Sequence, residues 1–299
     1  MRWRVRHTSY TTLKDFEYFE PSTLAEALSI TTKDADNCKI LAGGTDLMVL
    51  MMRRKITPTR VVNISRISSL NFINYDEKRG LRLGALASLR SIERSAAIRK
   101  NFPLLFDATR VLGSVQIRNM ATIGGNLCNA SPAADTAPPL LALDAHVVIA
   151  SQHNRREIPL ESFFLGPGKT GLLPGEILTE IDVETIPFDT KTGFVKLGRT
   201  PTDISKASAG VLLQSQAGIC QQVRIALGAV APTPIRARKA VELLKNKKIC
   251  HELIEEVAKQ ASDEAKPIDD IRSTARWRKE AIKYLVKSLL RRMWEMAPF

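Results

Sequence analysis

Two Gly-Gly pairs set in apolar stretches constrain this chain most: Leu41-Ala-Gly-Gly-Thr-Asp46 and Thr122-Ile-Gly-Gly-Asn126. Without a Cβ, glycine lets backbone N–H groups come close to an anion, and a helix that follows adds the positive end of its dipole. The first pair stands between a strand-like run, 38–42, and an apolar run that suits a helix, 47–54. That is the setting of a pyrophosphate cradle. Thr45 adds a hydroxyl, and Asp46 suits the N-cap of the helix. A tight turn would use one such pair equally well. The second pair, however, is followed by Asn129, Ser131 and Asp135, polar residues ahead of an apolar helix. Polar groups near a buried site need partners, and a ligand rich in phosphates and hydroxyls supplies them. Two such segments weaken the explanation by turns alone.

The rest of the chain alternates strands with short helices. Thr23-Leu-Ala-Glu26 has capping-box spacing, so a helix begins near residue 22. Short strands are expected at 61–64, 81–84 and 146–150. Helices are expected from residue 88, over 102–112 with Gly113 as the stop, and over 138–143. This pattern gives an α/β or α+β architecture. Composition shifts near residue 190, where 188–193 reads as a turn-rich linker. Strand-like runs at 207–214 and 223–229 follow, then helical stretches around 235–246, 251–265 and 275–296. These are expected to form a separate C-terminal domain of sheet plus helices. At roughly 100–200 residues per domain, 299 residues allow two or three.

Two motif matches lack their structural context. Gly166-Pro-Gly-Lys-Thr-Gly171 satisfies G-x-G-x-x-G, but Pro174 and Gly175 follow where a dinucleotide fingerprint must open a helix. Gly168-Lys169-Thr170 resembles the end of a P-loop, but Phe163 stands where that loop needs glycine. The four histidines (His7, His146, His153 and His251) make no metal spacing, and His146 reads as a structural strand residue. No nucleophile or acid–base arrangement stands out. Cys38, Cys128, Cys220 and Cys250 form no C-x-x-C pair, so the chain builds no zinc or iron–sulfur site by itself and its cysteines read as buried thiols.

The formal net charge of +13 comes from 44 basic and 31 acidic residues. The excess is spread along the chain, with a local concentration in the last helix that Glu280 and Glu295 interrupt. No nucleic-acid motif accompanies it, so it reads as a solvated or partner-facing surface rather than a nucleic-acid site. No apolar run approaches the ~18 residues of a membrane span. The segment Met1–Tyr10 lacks the apolar stretch of a secretory signal. A cytoplasmic location is expected.

Taken together, Ala-Gly-Gly-Thr-Asp-Leu at 42–47, Thr-Ile-Gly-Gly-Asn at 122–126 followed by Ala130-Ser-Pro and Asp135, and Gly166-Pro-Gly-Lys-Thr170 resemble the FAD-binding medium subunit of bacterial molybdenum hydroxylases. That family includes xanthine dehydrogenases, molybdenum carbon monoxide dehydrogenases, nicotinate and quinoline dehydrogenases and aldehyde oxidoreductases. The resemblance runs from about residue 16 to the C-terminus. It implies an α+β chain: an N-terminal extension, 1–15; a two-subdomain FAD domain of the vanillyl-alcohol-oxidase (PCMH) type at 16–189, divided into 16–66 and 67–189; and a C-terminal domain at 190–299. Carried over by position, it implies cofactor contacts at Ile40, Leu41, Ala42, Gly43, Gly44, Thr45, Asp46 and Leu47. The second segment contributes Thr122, Ile123, Gly124, Gly125, Asn126, Asn129 and Asp135. Leu112, Leu178 and Lys196 complete the set by spacing. Leu112 stands where xanthine dehydrogenases place an aromatic beside the flavin. The cysteine-rich insert of 4-hydroxybenzoyl-CoA reductases is not visible in the sequence.

The resemblance implies an electron-transfer role. A small subunit with [2Fe–2S] clusters would deliver electrons from a large molybdopterin subunit, and FAD held in this chain would pass them to an external acceptor. The assembly implied is a dimer of heterotrimers. No catalytic residue and no metal ligand is then required of the chain. Two other readings remain open on the residues alone. One is a free-standing flavin oxidoreductase with its own organic substrate. The other is a scaffold whose glycine segments are turns.

Overall fold

The computed structural model describes residues 2–5, 13–200 and 202–295, the first of these stretches by its backbone. The reading of Met1–Tyr10 therefore falls largely outside the described residues.

The first unit contains β1 (Arg2–Val5), β2 (Phe16–Phe19), α1 (Leu24–Thr32), β3 (Cys38–Leu41), α2 (Leu47–Met52) and β4 (Arg60–Asn63). Its sheet runs β1-β2-β4-β3, with β4 parallel to both β2 and β3 and β1 antiparallel at the edge. Parallel neighbours need crossovers, and α1 and α2 supply them. Successive strand residues face opposite ways. Thus Val62 packs with Ala27 and Leu28 of α1, and Val61 packs with Met51 of α2. The capping-box residues hold the start of α1: the Thr23 hydroxyl accepts from Glu26 N–H at 3.2 Å, and the Glu26 carboxylate accepts from Ser22 N–H at 3.0 Å.

The second unit contains β5 (Ile73–Asp76), β6 (Gly80–Gly84), α3 (Leu89–Arg94), α4 (Ala96–Asn101), α5 (Pro103–Arg110), α6 (Val115–Met120), α7 (Ile123–Cys128), α8 (Ala137–Ala142), β7 (His146–Ala150), β8 (Arg155–Pro159), α9 (Leu160–Phe163), β9 (Phe164–Gly166), β10 (Lys169–Thr170) and β11 (Ile177–Val183). An antiparallel sheet of order β5-β6-β11-β7-β8 buries Leu81, Leu83, Val147, Ile149, Ile181 and Val183 against the helices. The segment with the literal G-x-G-x-x-G becomes the β9–β10 hairpin, which opens no helix.

The opposite face of that sheet is mixed: Ala150 and Ile177 pack into the core of the first unit, and charged residues lie beyond them. Glu180 and Asp182 share it, two residues apart on β11, with Arg82 facing Asp182 from β6 and Arg155 bonding Glu180 at 2.7 Å. Burial and the adjacent Glu180 push the Asp182 carboxyl up to about 7. Glu180 is held below its usual value, because Arg82, Asp182 and Arg155 outweigh its own burial. The pair titrates as a unit that keeps one proton well above the usual carboxylate range. The folded protein holds that proton where the unfolded chain, with an aspartate near 3.8, has lost it. Stability from this group is therefore full below about pH 4 and is lost as pH rises through about 7. Asp182→Asn is expected to raise the melting temperature at pH 8 and to flatten its decline between pH 5 and pH 8. Parallel slopes for variant and parent in scanning calorimetry would contradict this assignment.

The third unit contains β12 (Lys191–Leu197), β13 (Ala207–Gln216), β14 (Ile219–Gly228), β15 (Ile235–Arg236), α10 (Arg238–Leu244), α11 (His251–Glu264) and α12 (Ala275–Glu295). Its antiparallel sheet lies between two helical layers. Ala207, Ala209, Val211 and Leu213 of β13 face α10, α11 and α12, while Leu212, with Phe194 and Ala226, enters the core of the second unit. At Gly228 a Cβ would come within 2.8 Å of Pro138, so α8 lies directly on the sheet.

The sequence reading needs several adjustments. The stretch 188–193 is only partly a linker, since β12 begins at Lys191. The helix expected over 102–112 spans Pro103–Arg110, and Gly113 does take a positive φ of 52° behind it. Of the cysteines, Cys220 is buried, and Cys38, Cys128 and Cys250 are part-exposed. Among the described residues no helix is long and apolar enough to cross a membrane.

Candidate functional site

The first glycine segment leaves the C-terminal end of β3 and enters α2. Ile40 and Leu41 end the strand, Ala42 to Asp46 form the turn, and Leu47 opens the helix. Gly44 has φ +72°, a conformation that glycine adopts without strain. Gly43 answers to a different demand. A Cβ there would lie 1.9 Å from the Met120 carbonyl oxygen and 3.0 Å from Ala121 Cα. The turn therefore sits against the Met120–Ala121 peptide, one residue ahead of Thr122. Folding thus brings the first glycine segment against the residues just ahead of the second, some eighty residues away in sequence.

Their hydrogen bonding differs sharply. The second segment is a helix start and not the loop its sequence suggests. Thr122 is the N-cap of α7, and its hydroxyl accepts from Gly125 N–H at 3.1 Å. Ile123 N–H donates to Ala87 O at 3.0 Å, and Gly124 N–H donates to Ala85 O at 2.9 Å. The last bond is possible only because Gly124 has no side chain, since a Cβ would meet Ala85 Cβ at 2.6 Å. The N–H groups that open α7 are thus committed within the protein. In the first segment the N–H groups of Gly43, Gly44, Thr45, Asp46 and Leu47 have no partner among the described residues. Five consecutive donors on a Gly-Gly turn form the kind of concavity that anions occupy. Asp46 takes the N-cap position of α2 but caps nothing: its backbone is helical, φ −107° and ψ −51°, and its side chain makes no cap bond. A capping residue needs extended backbone to turn its oxygen back on the helix.

Beyond α7, Asn126 accepts from Thr136 Oγ1 at 2.6 Å, which leaves its amide N–H groups available and ties α7 to the 129–136 segment. Asn129 follows α7 directly and is part-exposed. Asp135 is reached from the C-terminal unit. Lys196 of β12 donates to Asp135 Oδ2 at 2.8 Å, with the two side chains 5% and 6% exposed. Burial pushes the Asp135 carboxyl above its usual value, against the pull of Lys196 and Ser205. Leu112 lies in the turn after α5, where Arg118 donates to the carbonyls of Leu112 and Gly113 at 3.0 and 2.8 Å and is itself held by Glu93 at 2.9 Å. Leu178 is buried in β11 within the core that Leu112 also borders.

The structure thus seats the first glycine segment on the residues just ahead of the second and ties Asp135 to Lys196, while Leu178 presents no exposed side chain. Sequence reasoning missed Ser205, Arg118 and Glu93. Ser205 carried no signal in a polar stretch. The Arg118–Glu93 pair joins two short helices that both carry other polar residues, so nothing in the sequence singled it out.

The chain is similar to known proteins over nearly its whole length. Residues 14–186 match the family described as the FAD binding domain in molybdopterin dehydrogenase, and residues 193–297 match the CO dehydrogenase flavoprotein C-terminal domain. The glyceraldehyde dehydrogenase medium chain of Sulfolobus acidocaldarius is 31% identical over 91% of this chain and 95% of its own. The nicotinate dehydrogenase FAD-subunit of Eubacterium barkeri is 31% identical over 93% of this chain and 95% of its own. Among solved structures, a carbon monoxide dehydrogenase from Hydrogenophaga pseudoflava superposes with a TM-score of 0.91 at 30% identity, covering 93% of this chain and 97% of that one.

Proposed function

The chain belongs to the family of FAD-binding subunits of molybdenum hydroxylases, the xanthine and carbon monoxide dehydrogenase family, and on that premise we propose that it is the electron-transfer subunit of such a complex. The observation that carries the proposal is the run of five unpartnered N–H groups from Gly43 to Leu47, pressed against the segment that opens α7. Two anionic phosphates joined by one bridge match such a run in charge and in donor number. In this reading Ile40, Leu41 and Ala42 set the base of the cradle and Gly43, Gly44, Thr45, Asp46 and Leu47 hold the pyrophosphate. Thr122, Ile123, Gly124, Gly125, Asn126 and Asn129 form the facing wall. Their role is shape and side-chain hydrogen bonding, since the backbone donors of 123–125 are already used. Asp135, Lys196, Leu112 and Leu178 surround the remainder of the cofactor.

FAD, when bound, exchanges single electrons with one partner and pairs of electrons with another. The chain's own residues bind it, orient it and keep its surroundings dry. The electrons would come from [2Fe–2S] clusters of a small subunit fed by a large molybdopterin subunit, in a cytoplasmic dimer of heterotrimers. The domain boundaries proposed are 16–66, 67–189 and 190–299, after an extension at 1–15.

The test is co-expression with a small iron–sulfur and a large molybdopterin subunit from the same organism and purification under mild conditions. The expected product is a complex with stoichiometric flavin, whose flavin is bleached when the substrate of the large subunit is added. A chain that purifies with flavin and oxidises an organic substrate alone would replace this reading with a free-standing oxidoreductase. A chain that binds no FAD, even on reconstitution, would overturn it.

A further inference from the structure

The loop between β12 and β13 folds back on Asp135, and one of its side chains has no assigned part. Ser205 is fully buried, and its hydroxyl donates to Asp135 Oδ1 at 2.6 Å. Lys196 donates to the other oxygen, Oδ2, at 2.8 Å, and to the carbonyl of Asp203 at 3.0 Å. Both oxygens of one buried carboxylate are therefore engaged by the C-terminal unit, from positions 61 and 70 residues away in sequence. Ser205 and Asp203 belong to the same short loop, so this loop fixes the carboxylate with one residue and the lysine with another.

Donor and acceptor capacity shows what is left over. An ammonium has three N–H donors, and Lys196 spends two of them. A carboxylate has about four lone-pair sites, and Asp135 has two engaged. The cluster keeps one donor and about two acceptor sites in a place from which water is nearly excluded. Without the Ser205 hydroxyl, Asp135 would be held on one side only. It could then turn about its side-chain torsions, and burial would favour its protonated form. Either change removes an acceptor of fixed position.

We propose that Ser205 is a positioning residue of the FAD site: its hydroxyl locks the Asp135 carboxylate, charged and in one orientation, so that Asp135 and Lys196 together present fixed hydrogen-bonding groups to the hydroxyl- and carbonyl-bearing part of the cofactor. This rests on the FAD reading above. The C-terminal unit thereby completes a binding site whose phosphate end lies entirely in the first two units. Docking of the third unit and retention of the cofactor are then linked.

Equilibrium FAD binding to the apo full-length chain tests this, followed by quenching of flavin fluorescence. Ser205→Ala is expected to weaken binding about tenfold, the loss of one charge-assisted hydrogen bond. In an Asp135→Ala background the same replacement is expected to change affinity less than twofold, because Ser205 acts through the carboxylate and has no acceptor left there. Ser205→Cys fills the site with a slightly larger side chain and supplies only a weak donor, so it should behave like Ser205→Ala. Apo-protein melting curves establish that each variant is folded. Full affinity in Ser205→Cys would show that only packing matters and would overturn the proposal. So would an equal loss in both backgrounds, or no loss in Ser205→Ala. If the parent chain itself binds no FAD, the underlying reading fails rather than the role of Ser205.

Discussion

Gly43→Ala is expected to abolish FAD retention and to destabilise the fold by about 3 kcal/mol, the upper end for overpacking at a tight contact. The reason is contact and not conformation. Gly43 does not have a positive φ, and alanine could adopt its backbone. The added methyl, however, would sit 1.9 Å from a carbonyl oxygen of the Met120–Ala121 peptide. A flexible side chain could yield, but this obstacle is backbone, locked by Ala121 N–H on Ile117 O at 2.7 Å and by Leu89 N–H on Ala121 O at 2.9 Å. The turn must therefore lift away from α7, and its five N–H groups move with it. Gly44→Ala is the milder companion. There the nearest atoms are side-chain carbons of Leu41 and Met48 at 3.2 and 3.3 Å, and the cost is the strain of a left-handed alanine, roughly 1–2 kcal/mol. Flavin absorbance after gel filtration and urea unfolding of the apo forms measure both effects. Retained flavin in Gly43→Ala would show that the turn does not have to rest on the Met120–Ala121 peptide.

Lys196→Met carries the second large effect. A buried ion pair contributes little net stability, yet removing one partner strands the other. In this variant Asp135 keeps Ser205 and loses its counter-charge while remaining buried. A loss of about 3–5 kcal/mol is expected near neutral pH. The pH dependence identifies the cause. Burial already raises the Asp135 carboxyl, and without Lys196 it rises further. A raised acid contributes stability that is present at low pH and is lost as pH rises through the folded value. The gap between parent and variant should therefore narrow as pH falls, because a protonated Asp135 no longer needs the lysine. A gap that is constant from pH 5 to pH 8 would mean that packing of the lysine stem is what matters. The same variant should lose FAD, since the cluster's remaining free donor disappears with the ammonium.

How much of this was legible in the sequence depends on how local each feature is. The first Gly-Gly pair and the Thr23–Glu26 cap are written in neighbouring residues, and they lie where the residues suggest. The misleading Gly166–Gly171 match was also separable locally, because Pro174 and Gly175 forbid the helix it would need. The edge strand β8, Arg155–Pro159, was not read as a strand. Its exposed edge carries Arg155 and Glu157, and such charge reads as loop in sequence although it protects a sheet edge. Sequence could not tell the two glycine segments apart. Only the fold reveals that Ala85 and Ala87 take up the donors of the second and leave those of the first open. Ser205 was invisible for the same reason. A serine in a polar loop gains its meaning from a carboxylate that arrives from another unit.

Hydrogen–deuterium exchange of the full-length chain with and without FAD tests the central claim most directly. The cradle reading predicts that the amides of Gly43, Gly44, Thr45, Asp46 and Leu47 exchange freely in the apo form and become strongly protected when FAD is added. Gly124 and Gly125, already bonded to Ala85 and to the Thr122 hydroxyl, should change little. Bound FAD with no gain of protection over 43–47 would contradict the account.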